Sequence, residues 1–112
     1  MIEVVVTDEF LGWYGDLDEK DSDAVQYTVT LLENRGVTLD HPHSSAIQNA
    51  SFALRELRVQ SGGRPLRVFY AFDPKRQAVL ILGGDKTGDD RFYERYIPQC
   101  ERIWNEYLEE TK

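Results

Sequence analysis

The sequence predicts an α+β fold in which an antiparallel sheet is flanked by two N-terminal helices and a C-terminal helix. Three features carry that reading. Between Glu19 and Arg35 the apolar residues recur at spacings of three and four, the period of one helical face. From Ala53 to Gly84, three short apolar or alternating runs are separated by tight-turn sequences, as in an antiparallel meander. From about Asp89 to Glu110 a wider apolar stripe returns at helical spacing and must pack against something.

The elements follow in order. "IEVVVT" is short and β-branched and reads as a first strand. Asp8 and Glu9 open a short helical run with Phe10, Leu11, Trp13, Tyr14 and Leu17 as apolar bulk, broken by Gly12 and Gly15. In the next helix Ala24, Val25, Thr28, Leu31 and Leu32 form the stripe, and Gly36 ends it. "GVTLDHPHSSAIQNAS" has turn formers and no period, and reads as a loop leading to the sheet. The meander consists of "ALRELRV", "PLRVFYAF" and "AVLILGG", joined by "QSGGR" and "DPKRQ", and is expected to pair with the first strand. Alternation places Leu54, Glu56 and Arg58 on one face of its opening strand and Arg55, Leu57 and Val59 on the other. In the last element Pro98 lacks an amide proton and should kink the helix or begin a second one.

With 112 residues, 41% hydrophobic and 29% charged, the chain is expected to form one domain, residues 1–112, around a single core. The N-terminus shows neither the basic region nor the long apolar run of a secretory signal, and no segment suggests a membrane span. The one cysteine, Cys100, fits a reducing cytoplasm and, beside Trp104 at helical spacing, reads as a buried hydrophobe. The net charge of −7 argues against a phosphate partner until its distribution is examined. Met1 to Leu54 holds two basic residues against ten acidic ones, whereas Arg55 to Arg76 holds six basic against two acidic. The second half therefore carries a local positive field.

The stretch "LGGDKTGDDRFYERY" concentrates polar chemistry between an apolar run and an amphipathic one. Thr87 and Asp90 have the spacing of a capping box, and acids are favoured in a first helical turn. Asp85, Asp89 and Asp90 match no calcium-loop spacing, and His41 and His43 have no third ligand nearby, so no metal site is expected. Lys86, Arg91, Tyr93, Arg95 and Tyr96 are not needed for capping, and beside Arg55, Arg58 and Arg67 they suggest one cationic and aromatic patch.

Taken in order, "ELRV", "RVFY", "DPKR" and "GGDKTGDDRFYER" resemble the RelE/ParE toxin superfamily, in its phage-derived, HigB-like branch. The similarity is strongest from Leu54 to about Leu108, and the β-α-α lead-in suits the rest. The resemblance implies a RelE-like fold and the toxin of a type II toxin–antitoxin pair, held by a cognate helix-turn-helix antitoxin of the HigA kind. It implies cleavage of messenger RNA on the ribosome, in the cytoplasm, without metal or cofactor, by drawing the ribose 2′-hydroxyl onto the adjacent phosphate.

The positions that match the family's catalytic cluster are Arg58, Arg67, Lys86 and Tyr93, with Arg55, Arg64, Arg91 and Arg95 as surrounding RNA contacts. Arginine can only stabilise charge. Lys86 among arginines is expected to exchange protons more readily than a solvated lysine, and Tyr93 to stack on a base or relay a proton. Two features depart from the pattern: the chain is acidic where such toxins are basic, and Glu56 stands where RelE-like strands add positive charge. ParE-like members bind gyrase and cut no RNA, so a gyrase-binding toxin and a non-catalytic phage-derived interaction protein are the alternative readings.

Overall fold

The computed structural model describes residues 1–112, in the order β1 (Val4–Val6), α1 (Asp8–Gly15), α2 (Glu19–Arg35), a 3₁₀ turn (Gly36–Thr38), β2 (Ser44–Ala46), β3 (Arg55–Ser61), β4 (Arg64–Phe72), β5 (Ala78–Asp85) and α3 (Phe92–Glu110). The five strands form one sheet in the order β1-β5-β4-β3-β2. The meander is antiparallel as expected, and β1 joins its edge in parallel to β5, with Val5 opposite Val79. The expected loop contains a strand that the sequence did not announce: Ser44–Ala46 pairs antiparallel with Leu57, Glu56 and Arg55. Three residues with no apolar alternation leave no period to detect.

Local chemistry sets the helix limits. The Thr7 hydroxyl accepts the Phe10 amide proton at the start of α1, and Asp18 accepts that of Asp21 at the start of α2. At the β3–β4 hairpin Gly62 and Gly63 have φ of +58° and +79°, the paired left-handed geometry that lets a two-residue turn follow strand twist.

Both faces of the sheet are covered, so the expected single core divides into two layers. On one face Phe10, Val25, Val29 and Leu32 of α1 and α2 pack on Leu57, Val68, Tyr70 and Leu80. On the other, Phe92, Cys100, Ile103 and Trp104 of α3 pack on Leu54, Phe69, Val79 and Ile81. The near-continuous apolar runs of β4 and β5 reflect burial on both sides. Cys100 is fully buried, and burial pushes its thiol pKa up to about 12, so it packs as a hydrophobe.

Helix α3 begins at Phe92 rather than near Asp89, and of the two outcomes expected at Pro98 a second helix does not occur, since α3 runs through to Glu110 as one. Thr87 and Asp90 form no capping box. Asp85 accepts both the amide and the hydroxyl proton of Thr87, closing a turn before the helix, and the chain reverses at Gly88 with φ +64°. No helix is long and apolar enough to cross a membrane.

Candidate phosphate-handling site

Strand register builds the floor of the site. Arg58 of β3 lies opposite Arg67 of β4, and Arg67 lies opposite Gly84 of β5, so a row crosses the sheet on the face covered by α3. Two arginines directly opposite each other would repel. Glu56, one pleat away on the same face of β3, offsets that repulsion. Its Oε2 lies 3.3 Å from Arg58 Nη1 and accepts the Ser45 hydroxyl proton at 2.8 Å, while its Oε1 lies 3.4 Å from Arg67 Nε. From α3, the Tyr93 hydroxyl donates to the same Oε1 at 2.6 Å.

Glu56 is therefore the centre of the cluster, and sequence reasoning missed that role. Its side chain is 4% exposed, Arg67 is 7% exposed and Arg58 is 38% exposed. A buried carboxylate is tolerated only with such partners. Arg67 also donates from Nη1 to its neighbour's carbonyl, Leu66 O, at 3.0 Å. Its Nε meets Glu56 as a charge contact without hydrogen-bond geometry, and is a buried polar atom left without a hydrogen-bond partner. The cluster thus holds one buried donor whose bond is unmade.

Tyr93 and Lys86 complete the outer wall. The Lys86 ammonium stands 5.8 Å from the centroid of the Tyr93 ring. Burial, then the hydrogen bond to Glu56, raises the Tyr93 pKa, so the phenol keeps its proton at neutral pH. The loop bearing Lys86 is pinned by its own amide on Pro65 O at 2.9 Å.

The two glycines before Asp85 make room for aromatic rings. A β-carbon on Gly83 would lie 2.2 Å from the Trp13 ring on the α1 side, and one on Gly84 would lie 2.7 Å from the Tyr96 ring on the α3 side. Tyr96 in turn stacks on Phe92 at 4.3 Å.

Of the eight basic and aromatic residues singled out, the structure brings Arg58, Arg67, Lys86 and Tyr93 together. Arg55 and Arg64 point to the opposite face. Arg55 donates to Ser44 Oγ and to the Tyr70 hydroxyl, both at the α2 side. Arg64 is paired with Asp21 and with Asp85, the latter at 2.9 Å, and ties the hairpin to α2. Hydrogen bonds from Ser61 and Arg64 hold the Asp21 pKa below the usual carboxylate value. Arg91 is largely exposed beside Glu94, and Arg95 is paired with Asp89, which lowers the Asp89 pKa. Burial opposes ionisation of Asp85, but its bonds from Thr87 and Arg64 prevail and its pKa is lowered. Asp85 and Asp89 are thus each committed to a side-chain cation.

Comparison with known proteins agrees with the motifs. Residues 12–105 match the family described as phage-derived protein Gp49-like. A Mycobacterium tuberculosis protein named as toxin HigB3 is 36% identical over 107 residues, covering 94% of this chain and 92% of that one. A second protein of the same organism, named as toxin HigB2, is 31% identical over 107 residues, 90% of this chain but 53% of the relative's length. Among solved structures, a free-state mutant of the E. coli toxin RelE superposes with a TM-score of 0.60 over 83% of this chain and 92% of its own, at 8% identity, a likeness of fold. With a match running from α1 through most of α3 and a relative aligned along nearly its whole length, the chain belongs to the Gp49-like family of phage-derived proteins.

Proposed function

We propose that this chain is the toxin of a type II toxin–antitoxin pair and that it cuts messenger RNA on the ribosome, in the cytoplasm, by attack of a ribose 2′-hydroxyl on the adjacent phosphate. The observation that carries the reading is the convergence of Arg58, Lys86 and Tyr93 on one surface, over the buried Glu56–Arg67 pair, in an otherwise acidic chain. The names of its relatives support the toxin part.

In the proposed reaction a bond forms from the 2′-oxygen to phosphorus and the bond to the 5′-oxygen breaks, leaving a cyclic phosphate and a free 5′-hydroxyl. The 2′-hydroxyl gives up a proton, and the departing oxygen takes one. Charge grows on the phosphate oxygens, where Arg58 and Lys86, the accessible cations, stabilise it. Arg67 and Glu56 act beneath them by fixing Arg58 and Tyr93 in place. Tyr93, whose hydroxyl proton is committed to Glu56, offers a ring for a base to stack upon. Neither metal nor cofactor enters this scheme, and a HigA-like helix-turn-helix antitoxin is the expected inhibitor.

Primer extension on translated messages after induction tests it. New 5′ ends within reading frames are the expected result. Intact messages with halted DNA replication would replace it with the gyrase-binding reading.

A further inference from the structure

A cavity of about 370 Å³ opens at the outer edge of the sheet, where α2 and the loop before β2 face the end of β3. Tyr27 and Thr28 line it from the helix, Pro42 and His43 from the loop, and Arg58 and Gln60 from the strand. In a chain of net charge −7 its wall stands apart. Three other cavities each carry carboxylates, Glu101, Glu106 and Glu109 among them, whereas no acidic side chain lines this one.

Two groups in the wall are free to meet a ligand. Tyr27 is 63% exposed and is the one phenol ring in the wall. Gln60 is the other. Strand β2 ends opposite Leu57, and the His43 carbonyl accepts the Arg58 amide proton at 2.8 Å. Gln60, two residues further on, lies opposite Pro65, whose carbonyl accepts the Lys86 amide proton on the far side of β4. Two residues opposite each other in an antiparallel pair turn their backbone groups either both inward or both outward, so the Gln60 amide and carbonyl face the open edge.

We propose that this cavity is the subsite for a nucleobase beside the scissile phosphate, an inference that rests on the proposed RNA cleavage. Tyr27 supplies the stacking surface, and the outward amide and carbonyl of Gln60 offer one donor and one acceptor to the edge of the base. Arg58 borders the cavity and also belongs to the cationic cluster, 3.3 Å from Glu56, so it holds the phosphate that joins this base to the cut. RNA then passes the edge of β3 at Arg58, with the Tyr93 ring on the α3 side and the Tyr27 ring on the α2 side. A phosphate backbone is repelled by carboxylates, and a wall without them suits RNA for that reason. An added peptide strand is disfavoured, because the open edge runs only from Val59 to Ser61 before the hairpin.

The test is a ¹⁵N chemical-shift titration of the full chain with a short 2′-O-methyl RNA, whose blocked riboses cannot attack, so that binding is read apart from cleavage. Shifts at Tyr27, Thr28, His43 and Gln60 are expected. Tyr27→Ala should weaken binding about tenfold or more, as loss of a stacked base predicts, while Tyr27→Phe keeps the ring and stays within about twofold. Tyr27 is exposed, so both variants keep the fold, which thermal melts verify. On programmed ribosomes Tyr27→Ala should flatten the base preference beside the mapped cuts, and Tyr27→Phe should preserve it. Shifts elsewhere, none at millimolar RNA, equal binding by Tyr27→Ala, or an extended peptide shifting the same residues would overturn the subsite. An unchanged base preference in Tyr27→Ala would also overturn it and leave the reaction standing. Shifts at these residues in a chain that cuts no message would uphold base binding here and remove the reaction.

Discussion

The Tyr93 hydroxyl donates to Glu56 Oε1 at 2.6 Å, joining the first turn of α3 to the third strand across 37 residues of sequence. Through that bond a residue departing from the family's basic pattern becomes the element that gathers Arg58, Arg67 and Tyr93. Removing Glu56 should then cost more than removing any cation around it. Glu56→Ala strands the buried Arg67 charge and is expected to lose about 3 kcal/mol or more of unfolding free energy. Arg58→Ala, at a partly exposed position, loses less than about 1 kcal/mol. Urea denaturation measures both, and equal losses would count against Glu56 as the centre.

Lys86→Ala should separate folding from activity. Its charge lies at the surface of the cluster, so the melting temperature should stay within a degree or two, a change of about 0.5 kcal/mol or less. Loss of transition-state charge stabilisation raises the barrier by about 3 kcal/mol, roughly a hundredfold in rate. Growth arrest by the variant at equal expression, compared with the parent chain, reads the effect.

Gly83 is expected to be intolerant for a packing reason. Gly83→Ala puts a methyl into the Trp13 ring, and overpacking of this kind costs about 1–3 kcal/mol. Gly84→Ala meets Tyr96, which is only half-buried and has room to swing, so its cost should be smaller. Thermal melts of the two variants rank them.

How much of this was legible in the sequence depended on the range of the interactions. Helix α2 was found to the residue because the apolar period and Gly36 are local signals. Strand β2 was missed because it exists only through its pairing with β3. Thr87 and Asp90 have the letters of a capping box, but Asp85 and the reversal at Gly88 claim Thr87 first. The alternation of β3 did place Glu56 beside Arg58. What it did not show was Tyr93 arriving from α3 to bind it. Arg55 and Arg64 were grouped with the site on charge alone, and the parity of their strands sends them to the other face.

Stability at high pH should carry the signature of Tyr107. Burial, then its 2.8 Å bond to Asp73, raises its pKa from 10.0 to about 12. A group with a raised folded pKa contributes stability fully below its unfolded value and loses it as pH climbs through the folded one. Unfolding free energy should therefore decline between about pH 10 and 12, and Tyr107→Phe should flatten that decline. Denaturation titrations across this window check it, and an unchanged slope in the variant would assign the loss to other groups.

The central claim is that Arg58, Lys86 and Tyr93, set over Glu56 and Arg67, promote attack by a 2′-hydroxyl. The direct measurement uses purified chain and ribosomes programmed with a message carrying a single 2′-deoxynucleotide at the mapped cut. Cleavage of the all-ribose message and none of the substituted one, with both left intact by Lys86→Ala, is the predicted result. Equal cleavage of both messages, or none of either by the folded parent chain, would contradict the account.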